Sequence, residues 1–191
     1  MRKLCAAASA FLLLIACLYA CIASFAFTPD VYSQQPPFDR MAQETAAYLR
    51  GSRDELSESL FGLQEQLHMA DVRNLFRLGR CVAIVSGALC ALGLALGRRE
   101  GRSFLLGVAA FVAVLGAAAI WAAADFTGWF TAMHRLAFSN DLWLFDPSSP
   151  LIQMMPETFF ISAVKQIGGR LFLCVCGAAL LGLTLCKRKK T

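Results

Sequence analysis

Four long apolar blocks dominate the pattern of apolar and polar positions along the chain. At about 1.5 Å per residue they would form helices of about 36, 26, 32 and 24 Å, against a hydrocarbon core of about 30 Å. The second and fourth blocks therefore need another turn, which brings basic side chains to headgroup level. The pattern predicts four membrane helices. The blocks are residues 4–27, 81–97, 104–124 and 171–186, and the basic residues beside the two short ones are Arg77, Arg80, Lys165 and Arg170.

The composition excludes a soluble domain. Apolar residues make up 58% of the 191 and charged residues 16%, so a water-soluble chain of this size would expose much apolar surface. We expect an all-α membrane protein that forms a single membrane domain over residues 1–191, with two longer regions packed over the outer membrane face. The expected spans are 4–27, 76–97, 104–124 and 165–186, and the expected extracytoplasmic regions are 28–75 and 125–164.

The basic residues predict the orientation in the membrane. Nine of the 18 Lys and Arg residues lie at the two termini and in the turn between the second and third blocks, with a single acidic residue, Glu100. The positive-inside rule therefore places both termini and that turn in the cytoplasm. Orientation also accounts for the net charge of +5, so we expect no nucleic-acid partner. The nine are Arg2, Lys3, Arg98, Arg99, Arg102, Lys187, Arg188, Lys189 and Lys190.

The cysteines agree with this topology. All eight lie in or beside the apolar blocks, so the sequence predicts no disulfide framework. None has the spacing of a metal finger, and we expect neither a metal nor a cofactor. The eight are Cys5, Cys17, Cys21, Cys81, Cys90, Cys174, Cys176 and Cys186.

The first extracytoplasmic region carries one of the two histidines. A helical pattern begins near Leu63 and continues into the second span, and on it Glu65, His68 and Asp71 recur at every third position and share one face. Glu65-x-x-His68 matches half of a di-iron motif, but the second half is missing. Considered alone, His68 is a satisfied interfacial histidine. Ahead of this helix we expect an extended connector at residues 34–37 and a short helix at residues 41–49.

The second region, from His134 to Phe160, reads HRLAFSNDLWLFDPSSPLIQMMPETFF. Membrane loops are usually short and polar, whereas this one is aromatic and chemically mixed, which favours a site beneath it. Residues 146–150 have turn chemistry, and Pro156-Glu157 suits the start of the last helix.

Both histidines are predicted on the extracytoplasmic side, each beside a membrane entry. The second and third helices are joined by a short turn, so their outer ends should be adjacent and should bring His68 and His134 into one site. The chain has no Gly-x-Ser-x-Gly elbow. Direct acyl transfer with histidine acid–base help is therefore favoured over a covalent acyl-enzyme.

Two stretches carry a family resemblance. They are His68-Met69-Ala70-Asp71-Val72-Arg73 and the His134–Phe160 segment, with Ser139-Asn140-Asp141-x-Trp143, Asp146-Pro147, Leu151-Ile152 and Pro156-Glu157-x-Phe159-Phe160. Together they resemble the bacterial lipoprotein intramolecular transacylase family, Lit, whose topology matches nearly the whole chain. One departure is Gly62-Leu63-Gln64-Glu65, which replaces a Thr-Glu-Arg-Glu run, so that Glu65 alone carries over.

The resemblance implies an acyl shift within one substrate molecule in the bacterial cell membrane. A diacylated lipoprotein in the outer leaflet would pass its sn-2 acyl chain from the glyceryl group to its own N-terminal amine, giving a lyso-form lipoprotein. His68 and His134 would be the catalytic residues, one taking the amine proton and the other protonating the departing glycerol oxygen. Membrane lipid would be a further partner. Candidates to bind the oxyanion or substrate, or to orient an imidazole, are Glu65, Asp71, Arg135, Asn140, Trp143 and Asp146.

Other interpretations stay open at this point. Each of the polar residues near the histidines also has a structural interpretation, such as a turn cap at Asp146. The chain could be a non-enzymatic accessory protein whose aromatic loops hold a lipid or a partner. An intermolecular acyltransferase that takes the acyl group from phospholipid would need an acyl-enzyme nucleophile, which the sequence does not offer.

Overall fold

The computed structural model describes residues 1–32, 38–97 and 100–187. All the regular secondary structure within these ranges is helical, in agreement with the predicted all-α class. The expected connector at residues 34–37, the Arg98-Arg99 pair and the basic residues 188–190 lie outside the described residues. The α-helices are α1 (Arg2–Ala26), α2 (Asp39–Arg50), α3 (Leu63–Gly97), α4 (Gly101–Ala124), α5 (Phe126–Ala137), α6 (Pro150–Met154) and α7 (Glu157–Lys187), and a short 3₁₀ turn covers Pro29–Val31.

Four of these helices, α1, α3, α4 and α7, are long and apolar enough to cross a membrane. By length and composition they agree with the four predicted spans in number and order. With 35 and 31 residues, α3 and α7 are about 52 and 46 Å long, well beyond the roughly 30 Å of a hydrocarbon core. Each therefore extends the span predicted from its apolar block, and α3 begins at Leu63 as the unbroken pattern indicated.

The chain divides into two compact units, formed by residues 1–21, 79–126 and 168 onward, and by residues 22–78 and 127–167. Close helix packing characterises the first unit. A Cβ added at Gly93 would lie 2.2 Å from the Ser9 hydroxyl, and one added at Gly107 would lie 2.1 Å from the carbonyl oxygen of Ala7. Glycine at these positions lets α3 and α4 approach α1 more closely than any larger residue would allow.

The second unit has an apolar core built around α2. Spacing of the apolar side chains along this helix places Met41, Ala42, Ala46 and Leu49 on one buried face. The helix ends at Gly51, whose φ of 89° is the left-handed conformation that glycine adopts most easily. The predicted short helix is thus confirmed, with two residues added at its start and one at its end.

Buried charges hold the loop between α2 and α3. The Glu44 carboxylate accepts hydrogen bonds from the backbone N–H of Ser57, at 3.1 Å, and from its hydroxyl, at 2.9 Å. From α3, the Arg73 guanidinium donates to the Asp54 carbonyl at 3.1 Å and lies 4.5 Å above the Tyr48 ring. The loop therefore has a defined conformation although it contains no helix.

The segment with turn chemistry differs from its prediction. Residues 146–149 do turn, but Pro150 begins a short helix, α6, that continues to Met154. Proline is favoured at the first position of a helix because its φ is already helical and its missing N–H would have no partner there. The sequence pattern did not reveal this helix because five residues are too few for a helical period to show.

The glycine contacts in the first unit predict opposite effects at two positions of α4. Gly107→Ala should destabilise the protein by about 1–3 kcal/mol, because its methyl group would overlap the backbone of Ala7. Gly116→Ala is the matched control, since a Cβ there meets no other atom within 4 Å, and it should leave the unfolding temperature unchanged or raise it slightly. Thermal unfolding in detergent measures both, and equal effects would contradict close packing of α4 on α1.

Candidate active site

The two histidines lie side by side in the second unit. His68 comes from the first turns of α3 and His134 from α5. Their ring centroids are 6.4 Å apart and the ring planes differ by 24°. This is close enough for one substrate group, or a single water, to contact both imidazoles.

The hydrogen bonding of His134 defines its tautomer. Its Nδ1 lies 2.8 Å from the carbonyl oxygen of Phe130, one helical turn earlier. A carbonyl only accepts, so Nδ1 carries the proton, and in the neutral ring Nε2 is left with a free lone pair. Burial lowers the pKa of His134 below its usual value, while the bond to the Phe130 carbonyl acts in the opposite direction and only partly offsets it. A neutral imidazole with a basic Nε2 is therefore favoured near pH 7.

His68 is more deeply buried, with 7% of its surface exposed. The rings of Phe138 and Phe145 lie against it edge-on, with centroids 5.0 and 5.3 Å away. Its Nδ1 is buried and has no hydrogen-bond partner among the described residues. A buried polar atom without a partner is costly, and such atoms in native structures need an explanation such as a ligand or a catalytic role.

A cavity of about 330 Å³ opens beside the two imidazoles. Its walls are almost entirely apolar and come from α2, α3, α5, α6, α7 and the end of α1. Pockets of roughly 300–1,000 Å³ with a few polar groups in apolar walls are typical of small-molecule and lipid sites. Among the polar side chains of the lining are His68, His134 and Thr45. The cavity thus combines an apolar volume with two titratable groups.

Of the six other candidate residues, Trp143 lines this cavity. Its ring centroid lies 5.1 Å from that of His134, with the planes inclined by 38°. The segment Leu151-Ile152, at the start of α6, also lines the cavity. Trp143 therefore contributes one wall beside a histidine and brings an indole N–H into the same region.

Asp71 and Asn140 pair with each other. The Asn140 amide donates to the Asp71 carboxylate at 2.9 Å, and its own oxygen accepts from the backbone N–H of Leu142 at 3.1 Å. Neither side chain belongs to the cavity lining. This hydrogen bond connects α3 to the segment that carries Trp143, and so helps to position the Trp143 side chain in the cavity wall.

Glu65 is buried, with 4% exposure, and both oxygens of its carboxylate accept hydrogen bonds. Its carboxylate accepts from the backbone N–H of Gly62 at 2.8 Å, from that of Leu151 at 2.8 Å, and from the Ser149 hydroxyl. It therefore links the start of α3 to the start of α6. The structure does not bring its carboxylate into the cavity.

Asp146 and Arg135 also lie outside the cavity lining. The Asp146 carboxylate accepts from the backbone N–H of Ser148 at 2.8 Å and from its hydroxyl at 2.6 Å, and these bonds lower the pKa of the carboxyl group. This is the turn cap that sequence reasoning left open. Arg135 follows His134 on α5 but is exposed.

Sequence reasoning missed several residues of the site. The aromatic rings that enclose the imidazoles include Phe130, whose centroid is 4.0 Å from that of His134. Its position four residues before His134 was a usable signal, because such residues are neighbours on a helix. Thr45 and Tyr32 also line the cavity, but no pattern in the sequence relates them to residues 134–160. Within the described ranges, no three His, Cys, Asp or Glu side chains are grouped so that they could hold a metal ion.

Comparison with known proteins agrees with this fold. A family model described as lipoprotein intramolecular transacylase Lit matches residues 4–160. The solved structure of the membrane integral lipoprotein intramolecular transacylase Lit from Bacillus cereus has a TM-score of 0.84 and 21% identity, and the match covers 100% of this chain and 98% of that one. Structures of the same Bacillus cereus protein with one histidine replaced by arginine or alanine each have a TM-score of 0.79 and 21% identity, covering 100% of this chain and 94% and 96% of theirs. No curated protein matches the chain.

Acidification should destabilise the folded protein through His134. Its pKa is lowered in the folded chain and returns to about 6.5 on unfolding. The stability that comes from the neutral ring is therefore present above about pH 6.5 and is lost as the pH falls through the lowered pKa. Between about pH 7.5 and about pH 5.5, the unfolding temperature should fall more for the unsubstituted protein than for His134→Gln. Parallel curves from thermal unfolding in detergent would contradict this assignment.

Proposed function

The chain belongs to the lipoprotein intramolecular transacylase family, Lit, and on that premise we propose the reaction of this protein. It moves the sn-2 acyl chain of a diacylglyceryl-cysteine lipoprotein to the N-terminal amine of the same molecule and releases a lyso-form lipoprotein. The observation that carries the proposal is the pair of imidazoles 6.4 Å apart at an apolar cavity. An acyl ester needs this combination of apolar walls and proton-transfer groups.

Intramolecular transfer reduces what the enzyme has to do. Both the ester and the amine belong to one substrate molecule, so the protein has to orient them and to move protons. The carbon–nitrogen bond forms as the carbon–oxygen bond breaks. The amine loses one proton and the glycerol oxygen gains one, so no proton is consumed overall. Two adjacent imidazoles are sufficient for this exchange.

The environments of the two histidines support different roles. The Nδ1–H of His134 is engaged by the Phe130 carbonyl, which leaves Nε2 to take the proton from the attacking amine. Across the 6.4 Å between the ring centroids, that proton passes to His68, which delivers it to the departing oxygen. Both imidazoles are then neutral again for the next turnover. The indole N–H of Trp143 is the candidate donor to the oxyanion, because Trp143 lines the cavity.

The cavity also favours direct transfer over an acyl-enzyme. Its lining contains neither cysteine nor serine among the described residues. Thr45 does line it, but the Thr45 hydroxyl has no hydrogen-bond partner, whereas a nucleophilic hydroxyl needs a base within hydrogen-bond distance. Three of the other candidates then position parts of the site through hydrogen bonds. Asp71 and Asn140 position the segment that carries Trp143, and Glu65 positions the start of α6.

The orientation in the bacterial cell membrane is part of the proposal. The chain is one membrane domain with both termini in the cytoplasm, and residues 28–75 and 125–164 lie on the extracytoplasmic side with the active site. The distribution of basic residues supports this arrangement. The site would then meet its lipoprotein substrate in the outer leaflet, where the acyl ester and the amine are both available.

Loss of either histidine should abolish the acyl shift. His68→Ala, His134→Ala and the double variant should each lose about 10²–10⁴-fold in rate, without additivity, because the two imidazoles act on one transfer. Leu136→Ala is the control on α5, since Leu136 is 89% exposed and lies outside the cavity. Mass spectrometry of lipoprotein N-termini from cells expressing each variant measures the lyso-form. Normal conversion by a folded double variant would support a non-enzymatic accessory role instead.

Cysteine labelling tests the orientation. In a background without the eight native cysteines, Ser148→Cys should react with an impermeant maleimide in intact cells and Arg102→Cys should not. Both positions are exposed, whereas a Cβ at Gly101 would lie 2.4 Å from the backbone nitrogen of Cys186. Eight basic residues would remain on the proposed inner face after Arg102→Cys. The reverse labelling pattern would place both histidines in the cytoplasm and refute the proposed topology.

A further inference from the structure

The wall of the cavity contains a second polar position besides the imidazoles. Thr45, on the buried face of α2, is 0% exposed and lines the cavity. Its hydroxyl has no hydrogen-bond partner among the described residues. A threonine within a helix usually relieves this cost by bonding the carbonyl one turn earlier, yet Thr45 makes no such bond to Met41. The hydroxyl is therefore a buried donor without an acceptor.

The Thr45 hydroxyl is not hydrogen-bonded to either histidine. The Nδ1 of His68 is also buried and without a partner. The two atoms are thus not bonded to each other, although both residues line the same cavity. The cavity consequently has two polar regions in apolar surroundings, one formed by the two imidazoles with Trp143 and the other by Thr45. An occupant that satisfies both must be largely apolar and must carry two polar groups.

We propose that Thr45 is a substrate-binding residue whose hydroxyl donates a hydrogen bond to the ester carbonyl that is not cleaved. This inference rests on the proposed function, because a diacylglyceryl group carries two esters. The reacting ester lies at the imidazoles, and the second ester, at sn-1, lies at Thr45. Two ester groups on an otherwise apolar lipid match two polar regions in an otherwise apolar cavity.

Thr45→Val should raise the stability of the protein and weaken its binding of substrate. Valine has nearly the shape of threonine and removes the unpartnered hydroxyl, so the unfolding temperature without substrate should rise by about 2–4 °C. The bond to the uncleaved ester is the same in the ground state and in the transition state. Its loss should therefore raise KM about tenfold and leave kcat unchanged. Thr45→Ser keeps the hydroxyl and should keep the KM.

The same hydrogen bond can also be removed from the substrate side, by a substrate that lacks the sn-1 carbonyl. The experiment uses purified full-length protein and two synthetic lipopeptides, a diacylglyceryl-cysteine peptide and its analogue with an ether at sn-1, which lacks that carbonyl. The unsubstituted protein should show the tenfold rise in KM on the ether analogue. Thr45→Val should show it on the diester and no further loss on the ether. Thr28→Val is the matched control, because the Thr28 hydroxyl bonds the Ser24 carbonyl and lies outside the cavity lining.

Each outcome decides the inference. If Thr45→Val has the KM of the unsubstituted protein on the diester, or raises the KM equally on both lipopeptides, Thr45 does not bind the sn-1 carbonyl. In either case the unsubstituted protein still converts the diester, so the proposed function stands. If the unsubstituted protein converts neither lipopeptide, the proposed function fails and the role of Thr45 fails with it.

Discussion

The buried carboxylate of Glu65 is the contact on which the walls around the histidines depend. It accepts hydrogen bonds from Gly62, three residues earlier, and from Ser149 and Leu151, which are 84 and 86 residues later in the chain. A buried charge without partners would cost several kcal/mol, on the order of 3–5, so these three groups are held together at the start of α3. His68 follows one helical turn later, and Leu151 lines the cavity. The position of a cavity wall is thereby linked to the helix that carries a catalytic candidate.

The apolar character of the cavity has both a cost and a use. Desolvation lowers the pKa of His134 and so favours the neutral ring, which suits a base that acts near neutral pH. The same surroundings leave two buried polar atoms, on His68 and Thr45, without partners in the chain. Groups of this kind reduce stability, and proteins retain them where function requires them. In the proposed reaction, these groups belong to a site for an amphiphilic substrate and reduce the stability of the second unit.

The polar candidates near the histidines show where prediction from sequence stops. Glu65, Asp71 and His68 share a helix face, as their spacing indicated, but their partners lie in the 140–151 segment. Helical spacing states which side chains are neighbours on one helix and does not state what faces them. The Asp146 carboxylate accepts a hydrogen bond within its own turn. The residue types in this segment had already made that interpretation possible. Only the tertiary structure shows which of these residues line the cavity and which connect two segments, because this depends on how α3 and the 140–151 segment are positioned against each other.

The sequence by itself determined the membrane class, the number of spans and the family. These depend on summed hydropathy, on helix length against bilayer thickness and on motif residues, all of which are local quantities. It also suggested that the two histidines meet, because the short turn between α3 and α4 restricts how these helices pair. Only the tertiary structure decided the distance between the rings, the tautomer of His134, the short helix α6 and the place of Thr45 in the cavity. Apart from the tautomer, which a hydrogen bond within α5 determines, each of these arises from contacts between segments distant in sequence, where packing and the satisfaction of buried polar groups outweigh local preference.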